Sequence, residues 1–101
     1  MQLSSNDIQI VKDYFSGQPV LKAYLFGSYS RDEADNNSDI DILVDLDHSK
    51  HIGLGFVTMH SELQQRLQKK IDLVSSKGVS KYIKPFIDKD KVLIYERQNW
   101  R

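Results

Sequence analysis

Apolar residues recur at two different periods along this chain, and the switches between the periods mark out alternating helices and strands. Ile8, Val11, Tyr14 and Phe15 follow the spacing of one helical face. Ser4 or Ser5 is suited to cap that helix, since a serine hydroxyl accepts from unpaired first-turn N–H groups, and Gly17 is suited to end it. After Pro19, the run Val20-Leu21-Lys22-Ala23-Tyr24-Leu25-Phe26 is rich in branched and aromatic residues and predicts a strand leading directly into Gly27-Ser28. Arg31 to Ser38 is polar and predicts a short helical turn followed by a loop. From Asp39 to Asp47 apolar and acidic residues alternate, the period of a strand. The region of Gly53 and Gly55 then opens a helix with Phe56, Met59, Leu63 and Leu67 along one side and Lys69 and Lys70 at its C-terminal end. Ile71 to Ser75 predicts a third strand broken by Gly78. Val79, Tyr82, Ile83, Phe86 and Ile87 predict helical structure interrupted or restarted at Pro85, and Val92 to Tyr95 a last short strand. Glu96 to Arg101 remains as a polar tail holding the only tryptophan, Trp100.

These elements fit one α/β (α+β) domain over residues 1–101, because no linker interrupts them and 101 residues have room for one core. A composition of 40% hydrophobic and 28% charged residues is that of a globular chain. Fourteen Lys and Arg balance fourteen Asp and Glu, so no basic excess points to a nucleic-acid partner. Cysteine is absent, which excludes disulfides, thiolate metal sites and cysteine nucleophiles. The N-terminus lacks a basic-then-apolar leader, and no apolar run approaches the roughly eighteen residues of a membrane span, so a cytoplasmic location without membrane contact is expected.

The chemistry is concentrated in acidic residues. Asp39 and Asp41 point to one side of their strand, about 7 Å apart along the backbone, while Ile40, Ile42, Val44 and Leu46 point the other way into a core. Asp72, flanked by Ile71 and Leu73, can face the same way from a neighbouring strand. Three carboxylates on one face form a hard-oxygen site suited to magnesium and a nucleoside triphosphate. Two ions roughly 3.5 to 4 Å apart would promote in-line attack at phosphorus. Asp39 and Asp41 would bind both, and Asp72 would hold the ion nearer the nucleophile and is a candidate to accept its proton. Gly27 lets the backbone approach phosphate oxygens, the Ser28 hydroxyl can donate to them, and Arg31, one helical turn on, can reach the same triphosphate.

Taken singly, these residues have plainer readings: Asp-x-Asp as a solvated turn, Ser28 as a helix cap, Arg31 as a surface ion pair. Their joint spacing favours the site. The run Asp35 to Leu46 fails as a calcium loop, with Ile40 where glycine is needed and Leu46 where a bidentate glutamate is needed. His48, His51 and His60 share no metal-binding spacing, and the segment around Ser28 lacks the second glycine of a serine-hydrolase elbow. The Phe56, Met59, Leu63, Leu67 stripe reads as core, and Lys77, Lys81, Lys84, Lys89 and Lys91 as a solvated face.

Gly27-Ser28, ten intervening residues, Asp39-x-Asp41 and the apolar-flanked Asp72 resemble the nucleotidyltransferases of the DNA polymerase beta superfamily, and most of all its minimal nucleotidyltransferase group. The resemblance runs from the Val20 strand through the Tyr95 strand. It implies a nucleotidyltransferase fold with a mixed sheet of about four strands flanked by helices. It also implies a Mg-ATP site at Ser28, Asp39, Asp41 and Asp72, and pairing with an all-helical HEPN protein. In such pairs the small protein is similar to an antitoxin that silences a ribonuclease toxin, in some members by attaching AMP to a tyrosine. One position departs from the pattern: Asp32 stands where relatives commonly have glycine. A helical turn is expected to accept Asp32, though its carboxylate should weaken triphosphate affinity. Two functions follow, a transferase that moves AMP from ATP to a hydroxyl of the toxin, or a binding module that neutralises the toxin by contact alone.

Overall fold

A computed structural model describes residues 3–35 and 37–98. Three helices and four strands follow in the order α1 (Ser5–Ser16), β1 (Val20–Phe26), β2 (Ile40–Leu46), α2 (Gly55–Leu67), β3 (Ile71–Ser75), α3 (Lys84–Asp90) and β4 (Val92–Glu96). The strands form one sheet in the order β3-β2-β1-β4. β1 pairs antiparallel with β2 and β4, whereas β2 and β3 are parallel, so the sheet is mixed. Parallel neighbours cannot be joined by a tight turn, and α2 supplies the crossover between them.

The alternation read along β2 is realised. Ile40, Ile42 and Val44 are fully buried on one face, beneath α1 and α2, together with Val11, Phe15, Val20, Met59 and Leu63. Each such side chain contributes roughly 1.5–3 kcal/mol by leaving water, which holds the strands against the helices. Ser4 caps α1 by accepting from the Asp7 N–H at 3.0 Å, and Gly17 ends it. The two helices are also joined at their polar margins. Tyr14 donates to Glu62 Oε1 at 2.7 Å, the Arg66 guanidinium sits 5.0 Å above the Tyr14 ring, and burial with the Glu62 bond pushes the phenol pKa up. α3 belongs to the other face of the sheet, where buried Ile87 and Leu43 line a small cavity with Val79.

Several boundaries differ from the sequence reading for physical reasons. β2 begins at Ile40 and not at Asp39, because its first ladder bond is the Ile40 N–H to the Lys70 carbonyl (3.0 Å). The helical turn foreseen after Arg31 comes earlier, as a 3-10 turn over Gly27–Tyr29. α2 closes at Gln68, in the left-handed conformation, so Lys69 and Lys70 lie beyond the helix. The helical pattern from Val79 yields a helix only at Lys84, since Pro85 lacks the N–H an interior position needs and fits the first turn. Tyr82, Ile83 and Phe86 are consequently exposed. Trp100 lies outside the described residues. Among the described residues no helix is long and apolar enough to cross a membrane.

Candidate active site

The parallel register of β2 and β3 sets Asp41 directly beside Asp72. Adjacent strands lie about 4.8 Å apart, so the two carboxylates share one sheet face at neighbouring positions. On the other side of β2, Phe26 is the register partner of Asp41, which brings the following Gly27 against the same side chain. Gly27 has φ 74°, and a Cβ at that position would overlap Asp41 Oδ2. Only glycine combines that backbone with that approach. Asp39 stands just ahead of β2, exposed like Asp72, whereas Asp41 is half-buried.

The charges of these groups act on one another. The Asp41 pKa is pushed up to about 6 by burial, then by Asp72, then by Asp39, while Arg31 opposes the shift. Desolvation and like charge both favour the protonated form, and a bound cation would reverse both. Carboxylate oxygens are the donor type that a hard divalent ion takes. Among the described residues, however, no group of three acidic or histidine side chains is drawn together tightly enough to grip an ion as it stands.

The 3-10 turn at Gly27–Tyr29 is knitted to its glycine. The Ser30 N–H and the Arg31 N–H reach the Gly27 carbonyl at 3.1 and 3.2 Å, and the Ser30 hydroxyl donates to it at 2.8 Å. Ser28 is half-buried, and its carbonyl accepts from the Glu33 N–H at 2.8 Å. Arg31 leaves this turn to pair with carboxylates: its Nε donates to Glu33 at 2.9 Å and its Nη1 to Asp90 at 2.6 Å. Sequence reasoning missed both partners. Glu33 lies within the inspected motif, but nothing in the chain order signals Asp90, 59 positions away.

Asp32 corrects one expectation. It does not continue a helical turn but takes φ 58°, in the left-handed region that glycine enters most readily. Aspartate tolerates that conformation better than most residues, and alanine does not. An Asp32→Ala chain is therefore expected to be less stable than Asp32→Gly by about 1 kcal/mol, as read from urea midpoints. Equal midpoints would remove the backbone explanation.

Two further lysines come into view. Lys69 and Lys70 line a depression with Tyr29, Ser38 and Asp39, placing cationic side chains beside the acidic site. Lys69 also pairs with Asp7 at 3.5 Å. Lys84 and Lys91 both grip Asp88, at 2.8 and 3.0 Å, and Lys91 stacks 4.7 Å above the Tyr24 ring, so these two are not merely solvated. Of the histidines, His60 donates from Nε2 to the Ile71 carbonyl at 2.6 Å and fastens α2 to β3.

A comparison with protein families matches residues 9–99 to "Polymerase beta, Nucleotidyltransferase". The chain belongs to that family. This family member is 31% identical over 88 residues to a candidate protein adenylyltransferase of Methanocaldococcus jannaschii, covering 85% of each chain. Among solved structures, a toxin–antitoxin complex with AMP-PNP superposes with TM-score 0.72 at 26% identity, over 95% of this chain and 76% of that one. A chain from the tri-AMPylated HEPN toxin of Shewanella oneidensis in complex with MNT antitoxin superposes with TM-score 0.70 at 19% identity, over 95% and 75%, a likeness of fold. The mixed four-stranded sheet with three helices is thus the nucleotidyltransferase fold.

Proposed function

We propose that residues 1–101 act as a single cytoplasmic nucleotidyltransferase domain that moves AMP from Mg-ATP to a hydroxyl, most simply a tyrosine, of a partner HEPN-type toxin, as its antitoxin. The observation that carries this reading is the register that sets Asp41 beside Asp72 and against Gly27. The relatives named above support the acceptor class, because one is a candidate protein adenylyltransferase and another is a toxin–antitoxin pair holding an ATP analogue. Asp39 and Asp72 are exposed on an open sheet face, which suits an acceptor hydroxyl carried in by another protein.

Each residue then has a part. Gly27 and the Ser28 hydroxyl bind the leaving phosphates, and Arg31 offsets charge that builds on them. Asp39, Asp41 and Asp72 would hold magnesium, two ions in this reading, which would supply Lewis-acid stabilisation to the reacting phosphate. The acceptor oxygen bonds to the α-phosphorus, the bond from that phosphorus to pyrophosphate breaks, and in this reading Asp72 takes the hydroxyl proton.

The Arg31 pairs favour a second reading, a module that masks the toxin without chemistry, since two carboxylates already engage the cation assigned to the triphosphate. Incubation with α-labelled ATP, Mg2+ and the candidate HEPN partner separates the two. Label on the partner from the native chain, and none from Asp39→Ala with Asp41→Ala, is the expected result. Toxin neutralisation without any transferred label would establish the masking module instead.

A further inference from the structure

Arg31 is the cation nearest in sequence to the Gly27 turn, yet in the folded chain it is spoken for. Its Nη1–Asp90 contact of 2.6 Å is that of a strong charge-assisted hydrogen bond. The Asp90 side chain is 22% exposed, against 63% for Glu33, so the distant partner is the better shielded one. Asp90 is also the last residue of α3. Arg31 itself begins within one turn of Gly27, to whose carbonyl its N–H bonds at 3.2 Å, and its charge is felt at Asp41.

A guanidinium makes the same short bonds to a carboxylate oxygen as to a phosphoryl oxygen, so the two compete for it. We propose that Asp90 holds Arg31 in place of a phosphoryl oxygen, and that a nucleoside triphosphate binding at Gly27 and Ser28 takes Arg31 from Asp90 and loosens the last turn of α3. The proposal rests on the nucleotide reading above. Asp90 is then a positioning residue: it keeps Arg31 within reach of the phosphates while lowering affinity for them, because Arg31 must give up its bond to Asp90 before it can engage a phosphoryl oxygen. Nucleotide occupancy is thereby communicated to α3, an element with no part in the chemistry.

The test is calorimetric titration of the full chain with AMP-PNP and Mg2+, coupled to deuterium exchange. Freeing Arg31 from this partly solvated charge-assisted bond should tighten AMP-PNP binding roughly three- to tenfold in Asp90→Asn. Asp90→Ser should do the same, and no further gain should appear when either is combined with Arg31→Ala, which binds more weakly. Saturating AMP-PNP should also speed exchange at the Lys91 amide, which bonds to the Ile87 carbonyl at 2.8 Å. If the native chain binds AMP-PNP but Asp90→Asn and Asp90→Ser bind no better, or their gain survives loss of Arg31, the exchange of partners is overturned and the nucleotide site stands. If the native chain does not bind AMP-PNP, both readings fall.

Discussion

A Gly27→Ala chain is expected to lose about 2–3 kcal/mol of stability and, with it, Mg-dependent binding of AMP-PNP. The first part of the loss is backbone strain. Gly27 has φ 74°, where an L side chain costs roughly 1–2 kcal/mol because Cβ crowds the following carbonyl. The second is steric, since the added methyl would overlap Asp41 Oδ2. That oxygen ends a short side chain that can swing aside, so the clash is relieved in part. The relief carries Asp41 away from Asp72, and this is why a change at the turn should also abolish nucleotide binding. Urea unfolding and calorimetry measure the two effects separately. Stability within about 0.5 kcal/mol of the native chain, together with unchanged AMP-PNP affinity, would show that the turn does not set the position of Asp41.

Asp41→Asn should have the opposite effect on stability and the same effect on binding. In the folded chain the Asp41 pKa is raised from 3.8 to about 6, so between those values the folded state holds a proton that the unfolded state has released. The unfolded state then binds fewer protons, and stability falls as pH rises through that window. Above about pH 6 the ionised carboxylate burdens the fold in full, and below 3.8 the burden is gone. Because Asp41 is only half-buried, solvent screening reduces the burden to about 1–2 kcal/mol. Without divalent cation, Asp41→Asn should therefore be more stable than the native chain by about that amount at pH 7 and no more stable at pH 3.5. Its Mg-dependent affinity for AMP-PNP should drop by about a hundredfold or more, since an amide replaces a charged ligand with a weak neutral one. Destabilisation at pH 7 would mean that Asp41 serves the fold and not a cation.

These opposed responses separate structural from functional residues at one site. Gly27 is fixed by backbone geometry, and its loss damages fold and binding together. Asp41 is a local liability of the fold that a cation would turn into a binding feature. Ser28 and Arg31 lie between, held by a turn whose hydrogen bonds run to Gly27.

Chain order alone determined a great deal here. The two periods of apolar residues reflect local backbone geometry, and they located the four strands and the first two helices to within a few positions, including β2 with its buried Ile40, Ile42 and Val44, whereas α3 starts five residues after its apolar pattern does. The Gly27-Ser28 to Asp39-x-Asp41 spacing was legible because both halves lie on one hairpin-like pair of strands, whose register carries short-range order into space. Asp72 was legible as a candidate because it interrupts an apolar strand.

Tertiary structure decided the rest. That Asp72 lies beside Asp41 and not a residue above or below it depends on the parallel register, which α2 sets by packing across the intervening residues. The left-handed backbone at Asp32 was not read from the chain order, because aspartate tolerates that conformation without requiring it. The pairing of Arg31 with Asp90 is beyond any local signal, because salt bridges between distant residues follow from where the fold brings their ends and not from the composition around either one. Local periodicity specifies elements; only their packing specifies which charges meet.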